Sequence, residues 1–288
     1  MKIEIMENSG FCFGVRRAID IAKEAARKYN KVVTLGPIIH NPQMVEKLQE
    51  KGLGFVSCIE EIDDRYIDAV VIRSHGITLD DYKRLVEKDI DVVDATCPIV
   101  QKAQKYAQKL TKKGYQLVLL GDKNHPEVEA LLSYVDDSCI VVGNIDRDIN
   151  INCNKIALIA QTTQSENKFE KLAQKLISLT DELRIFRTIC NATKLRQEKT
   201  AELAQKADLM LVVGGKNSAN TTRLAEISQE QDCDTHHLEI ADEIDHNWLE
   251  NRNLIGISAG ASTPDWIIDS VKNKILKYID NEDNEQLM

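Results

Sequence analysis

Three cysteines constrain this chain more than any other feature. Cys12, Cys97 and Cys190 each lie 24 residues before a glycine that closes an apolar run, namely Gly36, Gly121 and Gly214. Each also lies 28 residues before a polar side chain: His40, His125 and Ser218. The apolar runs, Val32–Leu35, Gln116–Leu120 and Leu209–Val213, read as buried strands. A short strand-like run precedes each cysteine (Ile3–Met6, Val92–Asp94, Arg184–Thr188), and a helical stretch follows it (Arg17–Tyr29, Ile99–Lys112, Leu195–Gln205). One register kept at three places marks an internal repeat of about 90 residues, too long for a solenoid unit. The expected fold is α/β: three similar domains with mainly parallel sheets in a pseudo-threefold arrangement. Their expected bounds are 14–96, 97–189 and 190–270, with 271–288 as a C-terminal helix end and acidic tail. The strand before Cys12 has no unit ahead of it, so residues 1–13 should complete the sheet of the third domain.

A second loop recurs later in each repeat. Ser74-His75-Gly76 follows the strand Ala69–Ile72, and Gln161-Thr162-Thr163 follows Ile156–Ile159. The loop Ser258–Asp265, with Ser262, follows Leu254–Ile257 and leads into the helical stretch Trp266–Ile279. These loops sit at the carboxyl ends of parallel strands, where ligands bind. Four of the five prolines (Pro42, Pro98, Pro126, Pro264) stand directly after a landmark or one residue later. Proline favours the first helical position, so the landmarks are expected to cap helix N-termini, whose N–H groups attract anions. Neither a P-loop nor a dinucleotide-binding glycine fingerprint is present.

Composition narrows the chemistry. Hydrophobic residues at 43% and charged residues at 29% describe an ordered globular chain. A net charge of −9 argues against nucleic acid and anionic membrane as partners. No apolar run approaches the roughly 18 residues that span a bilayer, and the N-terminus lacks a signal peptide's apolar stretch, so the expected location is cytoplasmic. Seven cysteines cannot all pair within one chain, which fits a reducing compartment. Cys58, Cys139, Cys153 and Cys233 share no register and read as ordinary core or surface residues. Three converging thiolates suit zinc or an iron–sulfur cluster. A closed zinc site wants a fourth ligand, whereas a 4Fe–4S cluster on three cysteines leaves one iron open to substrate, which makes a catalytic cluster the sharper reading. His40, His75, His125, Ser218, Asn220 and Ser262 read as anion-binding donors, and Glu127 as a proton donor or a helix N-terminal charge. His236, His237, His246, Trp248 and Trp266 read as packing or surface residues.

Nine motifs, in order, carry a family resemblance. They are Gly10-Phe11-Cys12-Phe13-Gly14-Val15, Gly36-Pro37-Ile38-Ile39-His40-Asn41, Ser74-His75-Gly76, Asp94-Ala95-Thr96-Cys97-Pro98, His125-Pro126-Glu127-Val128, Gln161-Thr162-Thr163, Thr188-Ile189-Cys190-Asn191-Ala192-Thr193, Lys216-Asn217-Ser218-Ala219-Asn220 and Ala259-Gly260-Ala261-Ser262. Together they resemble the 4-hydroxy-3-methylbut-2-enyl diphosphate reductases, the LytB family. The resemblance implies an oxygen-sensitive 4Fe–4S cluster on Cys12, Cys97 and Cys190, central to the three domains, whose open iron takes the substrate hydroxyl. It places His40, His75, His125, Ser218, Asn220 and Ser262 around the diphosphate, Thr162 near the hydroxyl, and Glu127 as proton source. It implies two-electron loss of the hydroxyl as water, giving isopentenyl and dimethylallyl diphosphates, with ferredoxin or flavodoxin as electron donor. Ala219 departs from the serine often found there, which removes one hydroxyl contact to diphosphate while leaving the backbone N–H. Two rivals stay open on the residues alone: an iron–sulfur hydro-lyase that needs no reductant, and a non-enzymatic metal sensor without the anion pocket.

Overall fold

A computed structural model describes residues 1–135, 139–147, 149–151 and 153–285, with side chains described through residue 280. It contains twelve described strands in three four-stranded sheets, parallel throughout. The first sheet is ordered β3-β2-β4-β5, from β2 (Val32–Leu35), β3 (Leu53–Val56), β4 (Ala69–Ile72) and β5 (Asp91–Asp94). The second is β7-β6-β8-β9, from β6 (Gln116–Leu120), β7 (Ile140–Val142), β8 (Lys155–Ala160) and β9 (Glu182–Ile185). The third is β11-β10-β12-β1, from β10 (Leu209–Val213), β11 (Asp234–Leu238), β12 (Leu254–Ala259) and β1 (Lys2–Ile5). The order is the same three times: an outer strand, two central strands and a cysteine-side edge strand. β1 pairs with β12, Ile3 beside Ile255 and Ile5 beside Ile257, so the N-terminal strand completes the last sheet, as the repeat requires.

The chain divides into two compact units. One, residues 1–12, 40–44 and everything from 191, carries the third sheet. The other, residues 13–39 and 45–190, carries the first two. In each sheet the central strands are mostly apolar because both faces are covered; β4 and β10 are apolar throughout, whereas β2 carries Thr34, β6 Gln116, β8 Lys155 and β12 Ser258. Every residue of β10 is fully buried, and α9 (Asp265–Glu285) lays Ile267, Ile268, Val271 and Ile275 on one face of that sheet. In the second sheet, α6 (Glu166–Ile177) covers one face with Phe169, Leu172 and Leu176. The other face receives Ala103, Ala107 and Leu110 of α4 (Pro98–Thr111), with Val128 and Leu131 of α5 (Pro126–Leu132). The first sheet packs on Leu85 of α3 (Leu79–Val86) and on Ile59 and Ile62.

The structure corrects several expectations. The run Arg184–Thr188 does not continue as strand to Thr188: β9 ends at Ile185, and the Thr188 hydroxyl instead bonds the Ala160 backbone, at 2.5 Å to its carbonyl and 2.8 Å to its N–H. The helices after the cysteines begin at once, as α1 (Phe13–Lys28), α4 and α7 (Asn191–Ala204). The segment expected as an acidic tail is helical through Glu285, an unbroken continuation of α9; residues 286–288 lie outside the described residues. Among the described residues no helix is long and apolar enough to cross a membrane.

Candidate active site

Each landmark cysteine closes the turn from a sheet's edge strand to a helix: β1 to α1, β5 to α4 and β9 to α7. One hydrogen bond fixes all three in the same way. The Cys12 N–H donates to the Ala261 carbonyl (3.1 Å), Cys97 to Ser74 (2.9 Å) and Cys190 to Thr162 (2.9 Å). In every case the acceptor lies two residues past the neighbouring central strand, so the second loop of each repeat holds the cysteine turn. All three thiols are half-buried, and none of the chain's seven cysteines is in a disulfide. Cys97 occupies the N-cap of α4 without using its sulfur to cap. Cysteine binds metal as the thiolate, a soft ligand that suits iron–sulfur clusters and zinc. The donor set therefore fits a thiolate-bound cluster. The other cysteines differ: Cys58 is exposed near Glu61, the thiol of Cys233 donates to the Ala207 carbonyl (3.2 Å), that of Cys153 to the Lys155 carbonyl (3.5 Å), and Cys139 packs beside α4 and α5.

Two arginines that sequence reasoning missed brace these turns. Arg17 on α1 donates to the Thr96 carbonyl, one residue before Cys97 (3.1 Å). Arg196 on α7, 4% exposed, donates to the Gly10 carbonyl, two residues before Cys12 (2.5 Å). Gly10 has φ +94°, and a Cβ there would run into the Asp265 carboxylate, so glycine is required where the chain turns toward Cys12. An arginine one to two turns past a cysteine is the only sequence signal of this role.

Within the larger unit, a continuous polar path joins two of the cysteines. Thr162, whose carbonyl holds Cys190, donates its N–H to Glu127 Oε1 (2.7 Å) and its hydroxyl to Oε2 (2.8 Å). Glu127 is 2% exposed, and burial pushes its carboxyl upward against the lowering pull of Thr162. Its N–H donates to His125 Nδ1 (3.1 Å), so a neutral His125 carries its proton on Nε2. Burial, opposed by Asp122 and aided by Arg73, holds His125 down to about 4. His125 meets His75 edge to face, with ring centroids 5.5 Å apart. His75 follows Ser74, whose carbonyl holds Cys97. Glu127 stands in the first turn of α5, where a helix N-terminal charge would, and it is also a buried acid tied to a threonine.

The smaller unit gathers the other expected residues. The Ser262 hydroxyl donates to the His40 carbonyl (2.9 Å), and a Cβ on Gly215 would lie 2.8 Å from that same oxygen. Ser218 caps α8 (Ala219–Gln229), accepting weakly from the Thr221 N–H (3.4 Å), and Ala219 is the helix's first residue. Asn220 is 4% exposed, and neither atom of its carboxamide meets a hydrogen-bond partner among the described residues. A buried carboxamide left open points to a bound partner. One capping expectation is corrected. His125 and Ser218 cap their helices, but His40 does not: Asn41 accepts from the Met44 N–H (2.8 Å) and caps α2 (Pro42–Gln49). One extra residue separates His40 from its proline, which moves the cap to the asparagine. Of the residues assigned to packing, His236 stacks on Trp248 at 3.7 Å, whereas Trp266 is 44% exposed.

The profile of the LytB protein family matches residues 3–276. The chain belongs to the LytB family. Among curated LytB relatives, the 4-hydroxy-3-methylbut-2-enyl diphosphate reductase of Syntrophotalea carbinolica is 46% identical over 277 residues, covering 96% of this chain and 98% of the relative. That of Geotalea daltonii is 45% identical over 276 residues, covering 96% and 97%. A solved structure of (E)-4-hydroxy-3-methyl-but-2-enyl diphosphate reductase, described as the terminal enzyme of the non-mevalonate pathway, matches with TM-score 0.68 at 42% identity, over 96% of this chain and all of the other. The corresponding reductase from Plasmodium falciparum matches with TM-score 0.88 at 29% identity, over 94% and 86%.

Proposed function

We propose that this LytB chain is a 4-hydroxy-3-methylbut-2-enyl diphosphate reductase, acting in the cytoplasm on the last step of the methylerythritol phosphate route to isoprenoids. It replaces the allylic hydroxyl of its substrate by hydrogen. Two electrons and two protons enter, the carbon–oxygen bond breaks, water leaves, and isopentenyl or dimethylallyl diphosphate remains. Cys12, Cys97 and Cys190 are the ligands of one 4Fe–4S cluster, and the three repeats, with the bounds given above, are its domains. When bound, such a cluster supplies single electrons and one iron free of protein ligands. A small ferredoxin- or flavodoxin-type carrier delivers the electrons.

The observation that carries this reading is Thr162, which holds Cys190 through its carbonyl and Glu127 through both its N–H and its hydroxyl. The substrate hydroxyl leaves as water only if a proton arrives with it. Burial holds Glu127 toward its protonated form; once protonated, its Oε2–H reverses the bond and donates to the Thr162 oxygen, which frees the Thr162 hydroxyl proton for the substrate. His125 receives the Glu127 N–H on Nδ1 and presents Nε2–H to the diphosphate. His40, His75, Ser218, Asn220 and Ser262 complete the anion's hydrogen bonds, with the N–H of Ala219 in place of a hydroxyl. Charge-assisted bonds of this kind are worth about 1.5–3 kcal/mol each.

The test is turnover without oxygen, with 4-hydroxy-3-methylbut-2-enyl diphosphate and a one-electron reductant. The expected result is two reductant equivalents consumed per substrate, with both isomeric diphosphates formed. Substrate loss without reductant would make the chain a hydro-lyase. No binding of the diphosphate would make it a sensor.

A further inference from the structure

The larger unit contains a cavity of about 430 Å³ walled by α3, α4 and the turn after α5. Gly76 and Thr96 form part of its lining. None of the residues assigned above to cluster, diphosphate or proton transfer lines it.

Gln104 of α4 is the residue that gives the cavity its chemistry. Its side chain is 7% exposed, borders the cavity, and makes no hydrogen bond among the described residues. A Cβ at Gly76 would stand 3.1 Å from Gln104 Nε2, so the glycine leaves room for the carboxamide. Asp94, also in the lining, is already engaged, with one oxygen accepting from the Thr96 N–H and the other from Gln101. The Gln104 carboxamide thus offers a donor and an acceptor side by side at the cavity wall. Tyr82 and Tyr134 also line the cavity, and Lys105, one residue beyond Gln104, is exposed. A carboxamide pairs with an amino group and a ring nitrogen on one edge of a heteroaromatic base. Phenol rings offer faces for such a base to lie against. The volume lies in the range of small-ligand pockets.

We propose that this cavity binds a purine, carried as a nucleoside or nucleotide, with Gln104 reading the ring edge. The two sources differ at Lys105, which suits a phosphate. The site is independent of the cluster assignment.

Calorimetric titration of the full-length, anaerobically purified chain tests this, with adenosine, adenosine monophosphate and ribose 5-phosphate as probes. Saturating inorganic pyrophosphate is present throughout, to occupy any diphosphate pocket. The expected result is saturable binding of at least one purine probe at Kd below about 1 mM, and none of ribose 5-phosphate. Gln104→Leu should weaken that binding at least about tenfold while the melting temperature holds or rises. Tyr134→Ala, on a half-buried turn, is a second variant with the same expected direction should Gln104→Leu fail to fold. Lys105→Ala should weaken the nucleotide and spare the nucleoside. Two results would overturn the proposal: no saturable purine binding in the presence of pyrophosphate, or unchanged affinity in folded Gln104→Leu protein.

Discussion

At the scale of single residues, the account rests on the buried acid. Glu127→Gln keeps the shape and most hydrogen bonds but cannot deliver a proton. Turnover should fall about 10²–10⁴-fold, with iron content and substrate affinity near wild type. Steady-state kinetics beside a cluster spectrum will show it, and wild-type turnover would return Glu127 to a structural role. His125 carries a pH prediction. Its folded value, near 4, lies below the ordinary 6.5, so the unfolded chain binds the proton more readily. The stability that this difference contributes is present above about pH 6.5 and lost as pH falls toward 4, to an extent of order 3 kcal/mol. Glu127 acts oppositely, because a raised carboxyl contributes below its ordinary value and loses that contribution as pH rises. The His125→Asn protein isolates the first effect: relative to it, the wild type should lose melting temperature between pH 6.5 and 4. A constant difference would contradict the buried, neutral histidine. These residues were unequally legible. The cysteines stood out because their register repeats. The Glu127–Thr162 pair did not, because its partners are 35 positions apart and meet only when α5 packs beside the end of β8.

At the scale of elements, the central strands were readable because burial on both faces makes them mostly apolar runs, unbroken in Leu209–Val213. The outer strands β3, β7 and β11 were not. Leu53–Val56 is broken by Gly54 and only partly buried, Ile140–Val142 has three residues, and Asp234–Leu238 is partly polar, as an edge strand covered on fewer sides tolerates. His236 and His237 lie in that last strand, and His237 Nε2 is 2.9 Å from the Gly214 carbonyl. The three landmark glycines follow equivalent strands for different local reasons. Gly36 and Gly214 have φ of +72° and +145°, whereas Gly121 leaves space beside Val128 and Gln161. Gly214→Ala should be the costly change. Its Cβ would collide with the hydroxyls of Thr263 and Thr221 in a backbone conformation that disfavours any side chain. A loss of at least about 1–3 kcal/mol is expected in urea unfolding. An unchanged midpoint would show that the turn relaxes freely.

At the scale of the whole molecule, one repeated plan accounts for the sheet orders, the cysteine turns and the loop that holds each turn. It was legible because three copies of a pattern reinforce each other, whereas one cysteine before a helix carries little information. What the repeat could not show was its bracing by Arg17 and Arg196, since neither keeps a threefold register. The central claim is that Cys12, Cys97 and Cys190 act together and the other four cysteines do not. Iron and sulfide counts on anaerobically purified single Cys→Ser proteins test it most directly. The account predicts about four of each per chain in the wild type and in the Cys58, Cys139, Cys153 and Cys233 variants, with sharp loss in the Cys12, Cys97 and Cys190 variants. Full cluster loading in Cys97→Ser would contradict it.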